Sequence, residues 1–95
     1  MAVLLAACSA FASEECVLKN GPMTIFRTGT EDKIQALGKE NYAQAVRLYA
    51  ACPSVPSGTR LGIVDGGFPS STVVVRSGTY VGCMGDLPNE FLSCK

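Results

Sequence analysis

The spacing of apolar positions changes character at Pro53. Before it, two segments carry helical spacing. After it, apolar residues alternate with polar ones, or bunch in short runs bounded by Gly, Pro, Ser and Asp. In the first half, Ser13 to Lys19 reads as a polar lead-in holding Cys16, and Asn20-Gly21-Pro22 as a turn. Met23 to Arg27 (MTIFR) predicts a short strand from its β-branched and aromatic content. Thr30 is expected to cap a short helix with Glu31 and Asp32 in its first turn, where negative charge suits the helix dipole. Ile34 and Leu37 share a face of it, and Gly38 ends it. A second helix is expected over Glu40 to Ala51. There Tyr42, Ala45, Val46 and Tyr49 fall at i, i+3, i+4 and i+7, with Leu48 and Cys52 flanking. Such a stripe is the face a helix buries. Pro53 is expected to stop the helix.

The second half predicts strands and turns. Ser54 to Gly58 reads as a loop and Thr59 to Asp65 as an alternating strand with Leu61 and Ile63 on one side. Asp65-Gly66-Gly67 is a turn, and Ser71 to Ser77 (STVVVRS) is a strong strand. Ser77-Gly78 is expected to form a tight hairpin into a strand over Thr79 to Met84, which Gly85 to Pro88 ends. Asn89-Glu90-Phe91 fits one helical turn, and Leu92 to Cys94 a last short strand. No repeat or linker interrupts residues 13–95, which predicts one domain.

Residues 1–12 (MAVLLAACSAFA) differ from everything that follows. All but Ser9 are apolar and none is charged. The run is too short for a bilayer span, which takes about 20 residues. It matches the apolar region of an export signal, with Ala10-Phe11-Ala12 as the small-x-small cleavage pattern and Ser13 as the mature terminus. The basic stretch that opens such signals is missing, as expected if translation starts upstream of Met1. Leu5-Ala6-Ala7-Cys8 also resembles a bacterial lipobox, in which Cys8 would be lipidated. Either route implies a periplasmic or secreted protein. The second adds a lipid anchor to the outer membrane, which would then be its sole membrane contact.

Charge narrows the chemistry. Eight Lys and Arg balance eight Asp and Glu, so no surplus of positive charge is available for nucleic acid. The chain has no His. That excludes Ser–His and Cys–His nucleophile pairs and His-ligated zinc. Cys8, Cys16, Cys52, Cys83 and Cys94 include no C-x-x-C pair. A four-Cys zinc site is therefore not expected, and no metal or other cofactor is. With Cys8 removed or lipidated, four cysteines remain in a small exported domain, which predicts two disulfides with three possible connectivities.

The segment Gly82-Cys83-Met84-Gly85-Asp86-Leu87-Pro88-Asn89-Glu90-Phe91-Leu92 resembles the closing run of bacterial SH3-like domains. In that family a G-x-x-G-W-[VIL]-P-x-x-[YF]-[LV] run leads from the fourth strand through a 3₁₀ turn into the fifth. The preceding GTRLGIVD and VVVRSG, with Tyr80, resemble its second to fourth strands. The resemblance covers residues 58–94, with Asp86 where the family has Trp. It implies a mainly β fold: a small five-stranded SH3-like barrel with a two-helix insertion between the first and second strands, capping one open end. First and last strands lie side by side in such a barrel. The resemblance thus implies a Cys16–Cys94 disulfide tying the termini, and a Cys52–Cys83 disulfide stapling the insertion to the barrel.

Catalytic constellations are sparse. Asp86 and Glu90 flank Pro88, Ser70-Ser71 has no base nearby in sequence, and Gly66-Gly67 is no phosphate loop. The chain is not expected to be an enzyme. The resemblance implies a ligand groove formed by loop aromatics and the proline of the 3₁₀ turn, with Phe68, Tyr80, Pro88 and Phe91 as candidates. The competing role for Tyr80 and Phe91 is core filling. The expected partner is a peptide, a peptidoglycan stem peptide or an envelope protein. Two other readings fit the same residues: a small secreted, disulfide-stapled inhibitor or effector presenting the loop at Phe68, and an envelope (or prophage) lipoprotein anchored at Cys8.

Overall fold

The computed structural model describes residues 15–94, so the expected export signal over residues 1–12 and Cys8 lie outside the described residues. Chain order is β1 (Glu15–Leu18), β2 (Met23–Phe26), α1 (Glu31–Leu37), a 3₁₀ turn (Lys39–Asn41), α2 (Tyr42–Tyr49), β3 (Ala50–Val55), β4 (Arg60–Asp65), β5 (Ser70–Val75), β6 (Met84–Pro88), a second 3₁₀ turn (Asn89–Phe91) and β7 (Leu92–Cys94). The seven strands form one antiparallel sheet in the order β3-β2-β6-β5-β4-β1-β7. Among the described residues the fold is mainly β with two helices and two disulfides. It differs from the expected five-stranded barrel in having two further strands, and in a sheet that ends at β3 and β7 rather than closing.

The core lies on one face of this sheet. Leu18, Ile25, Cys52, Val55, Leu61, Val73, Val75 and Leu87 are buried together, with Ile63, Tyr80, Phe91 and Leu92 packed against them. The β5 run shows how the alternation works: Ser71, Val73 and Val75 point inward, and Ser70, Thr72 and Val74 outward. In β6, Gly85 and Leu87 point inward and Met84, Asp86 and Pro88 outward. Each inward Leu or Val removed from water contributes about 1.5–3 kcal/mol.

Four expectations are corrected. The supposed lead-in at Cys16 is strand β1, where Cys16 and Leu18 alternate inward with Glu15 and Val17 outward. The second helix is shorter than Glu40 to Ala51: it ends at Tyr49, and Ala50–Val55 is strand β3. Pro53 does not stop a helix. It biases Cys52 toward extended backbone, and it sits on an edge strand, where its missing N–H does least harm. Burial of Cys52 and Val55 outweighs the helix propensity of Ala50 and Ala51. Finally, Ser77-Gly78 is not a two-residue hairpin. The chain runs from Arg76 to Cys83 through successive turns, Gly82 N–H donating to Val75 O and Val75 N–H to Cys83 O, both at 2.8 Å. The strand therefore begins at Met84, and Gly85 to Pro88 forms its body instead of ending it.

The glycines of the closing run have separate causes. Gly82 has φ 92°, a left-handed conformation that costs a side-chain-bearing residue strain. Gly85 lies where β6 crosses β2, and a Cβ there would strike the backbone carbonyl of Phe26.

The two disulfides join Cys16 to Cys94 and Cys52 to Cys83. The first links paired positions of β1 and β7, with Cα atoms 4.1 Å apart. The second ties β3 to the residue that precedes β6. Bonds of this kind persist where thiols are oxidised, consistent with an extracellular setting. Among the described residues no helix is long and apolar enough to cross a membrane.

Candidate functional site

Outward residues of β5 and β6 meet β2 and α1 to form a groove. Thr72 pairs with Asp86 and Ser70 with Pro88, while Phe26 of β2 pairs with Asp86 from the other side. Helix α1 enters above them. Thr30 occupies its N-cap position as expected, but its hydroxyl turns back to donate to Arg27 O at 2.7 Å instead of capping. Phe26, Asp86, Pro88 and Ser70 line one side of the groove; Thr30, Glu31, Ile34 and Gln35 line the other, enclosing about 200 Å³. Past Ile34 and Gln35 the groove continues between α1 and α2. There a second, almost wholly apolar space of about 310 Å³ is lined by Gly38, Lys39, Tyr42 and Ala45. Tyr42 packs edge-on to Phe26, with ring centroids 6.1 Å apart, so the two spaces share an aromatic wall.

Two carboxylates, Glu31 and Asp86, face the first space, and no Lys or Arg lines it. Asp86 accepts from the Thr72 hydroxyl at 2.7 Å and from Gly29 N–H at 3.3 Å. It thereby fastens the turn that leads into α1 onto the sheet. Glu31 accepts from Gln35 Nε2 one helical turn on, at 3.5 Å. Apolar surface beside two carboxylates suits an uncharged backbone and a cationic side chain together. Glu90, considered with Asp86 from sequence, is exposed and does not line the groove. Among the described residues no cluster of three or more His, Cys, Asp or Glu is arranged to hold a metal ion.

A third, open hollow of about 530 Å³ lies on the opposite side of the β5–β6 end, lined by Ile63, Leu92 and Cys94 with Gly66, Gly67, Ser71 and Asn89. Its polar atoms are bonded to one another. Asn89 Nδ2 donates to Gly67 O at 2.7 Å, and Asn89 N–H to Pro69 O at 2.8 Å. The Ser71 hydroxyl donates to Asn89 Oδ1 at 2.6 Å and accepts from Gly67 N–H at 3.3 Å. Asn89 thus clamps the β4–β5 loop from both ends.

The four sequence candidates do not share one surface. Pro88 lines the groove. Phe68 stands 92% exposed on the clamped loop, beside the hollow. Tyr80 lies in the Arg76–Cys83 connection at the far end of β5 and packs against the core, as Phe91 does. The Phe91 carbonyl accepts from Lys19 N–H at 2.9 Å, which docks the 3₁₀ turn onto the end of β1. Sequence reasoning missed Phe26, Glu31 and Ile34 as groove residues and Asn89 as the clamp. A cue for Asn89 was present: an Asn directly after Pro in a turn is a ready backbone hydrogen-bonder. Nothing local signals that Phe26 lies opposite Asp86. No protein-family model matches this chain, and no curated protein or solved structure shows significant similarity to it.

Proposed function

We propose that residues 13–95 form an exported, non-catalytic SH3-like binding domain. It takes an extended peptide with a cationic side chain in the groove between α1 and the outer face of β5 and β6. Five strands support the SH3-like reading: they follow one another as β6-β5-β4-β1-β7, with a 3₁₀ turn joining β6 to β7. β2, α1, α2 and β3 then constitute the insertion between the barrel's first and second strands. The single observation that carries the binding role is the groove itself, which sets Phe26, Ile34 and Pro88 beside the carboxylates of Glu31 and Asp86. Rigid apolar faces suit an extended backbone, and the carboxylates suit an amine or guanidinium. A cell-wall stem peptide with a free side-chain amine meets this description, as does a basic segment of an envelope protein. Residues 1–12 act as the export signal, and Cys8, if lipidated, anchors the domain to the outer membrane.

The test is an NMR titration of the oxidised protein with a soluble stem peptide and, separately, with a proline- and arginine-containing peptide. Amide shifts confined to Phe26, Gly29, Ile34 and Asp86 are expected with one of them, and Asp86→Asn should weaken that binding by about tenfold, the loss of one charge-assisted contact. Absence of shifts at these amides with both peptides would refute the groove as the binding site.

A further inference from the structure

The two bridges differ in how a thiol can reach them. Cys52 is fully buried in the core, and Cys83 is half-buried and packed against it. The backbone of Cys83 is also tied: its N–H donates to Tyr80 O at 2.9 Å, and its carbonyl accepts from Val75 N–H at 2.8 Å. Cys16 is 2% exposed, whereas its partner Cys94 stands exposed on β7. Cys94 borders the open hollow beside Ile63 and Leu92, and a smaller one of about 220 Å³ lined by Glu15, Val17, Arg60 and Ser93. No residue lining the larger hollow carries a charge that would repel an anion. β7 itself has three residues and pairs along one side only, with β1. Such an edge opens locally at little cost.

We propose that Cys94 is a thiol–disulfide exchange site whose partner is a redox-active dithiol with an ionised attacking thiol. The attacking thiolate forms a bond to Cys94 Sγ. The Cys94–Cys16 bond breaks, and its electron pair leaves on Cys16 Sγ, which takes up a proton because it is buried. The second thiol of the partner then attacks the first, closes the partner's own disulfide and releases Cys94, which is protonated in turn. The partner is oxidised by two electrons and gives up two protons; the Cys16–Cys94 pair gains both. Exposed bridges are the exchangeable ones, and buried bridges resist. Cys52–Cys83 therefore stays closed and keeps β3 joined to the residue before β6. The reaction runs through fraying of β7, not through unfolding of the sheet, so the length of loop that each bridge closes does not set the order of opening. The product is a chain with β7 freed from β1. The peptide groove takes no part, since Cys94 does not line it.

The test exposes the oxidised protein to dithiothreitol under native conditions, with alkylation at intervals and peptide mapping by mass spectrometry. Cys16 and Cys94 should be alkylated at least about tenfold faster than Cys52 and Cys83. Glutathione, with its single thiol, should form a mixed disulfide at Cys94 and not at Cys16. Once Cys16–Cys94 is open, hydrogen exchange should speed up at the Val17–Ser93 pair of β1 and β7 and stay slow at Val73 and Val75. Four results would overturn the proposal: equal rates at the two bridges, Cys52–Cys83 opening first, glutathione on Cys16, or protection lost at Val73 and Val75 as Cys94 is freed. The last would make the bridge a staple of the whole fold, opened only when the sheet unfolds.

Discussion

Gly85 and Asn89 show how single positions of the closing run act. At Gly85 the absence of a side chain lets β6 pass against Phe26, where the two strands meet at the one register pair Phe26–Asp86. Gly85→Ala should destabilise the fold by about 1–3 kcal/mol, the range for forcing extra atoms into a packed site, as read from the midpoint of urea unfolding. Asn89 acts through its amide, which fits between Gly67 O and the Ser71 hydroxyl. Asn89→Ala leaves both without that partner and should cost about 1–2 kcal/mol. Backbone relaxation measurements should then show the loop over residues 66–69 gaining motion while β5 stays rigid.

At the level of elements, the two helices are fastened unevenly. Helix α2 has Ala45 buried and its last turn held by Arg27, whose guanidinium donates to Leu48 O and lies 6.0 Å from the Tyr49 ring. Helix α1 has seven residues and none of them is fully buried. A helix this short is not stable by itself and depends on its attachments. Ile34 supplies apolar contact, and Asp86 holds the preceding turn through Gly29. Hydrogen exchange should therefore be fastest in α1 and slowest at Val73 and Val75 of β5. Asp86→Ala should raise exchange in α1 further and leave β5 unchanged. The same substitution opens the groove, so peptide binding and α1 protection should be lost together.

For the whole molecule, the covalent links weigh heavily because the core is small. A domain of this size buries a modest fraction of its surface. The Cys16–Cys94 bridge spans 78 residues of sequence and Cys52–Cys83 spans 31. In the chain-entropy description these loops correspond to about 4.5 and about 3.7 kcal/mol of constraint on the unfolded chain. Replacing Cys16 and Cys94 by Ser should lower unfolding stability more than replacing Cys52 and Cys83, with denaturant melts as the measure. Reducing both bridges should remove several kcal/mol, a large share of the roughly 5–15 kcal/mol that folded domains possess. The two bridges thus suit an oxidising setting, where they stay formed.

What could be read from residues alone was local. The alternation of STVVVRS marked β5, Pro-Asn-Glu-Phe marked the 3₁₀ turn, and an even set of cysteines after residue 12 marked two bridges. Each of these rests on neighbours in the chain, so backbone preference and spacing suffice. The strand at Ala50–Val55 was hidden because its first residues favour helix locally, and only pairing with β2 and burial of Cys52 and Val55 make it extended. β1 was hidden by its brevity, four residues whose alternation means nothing until β4 and β7 flank it. The groove belongs wholly to the tertiary structure. Asp86 is far in sequence from Phe26 and Ile34, and they meet because β2 docks on the edge of β6 and carries α1 over it. Sequence determined where the chain can turn, cap and cross-link; the fold decided which side chains face one another, because that depends on long-range strand pairing no local pattern encodes.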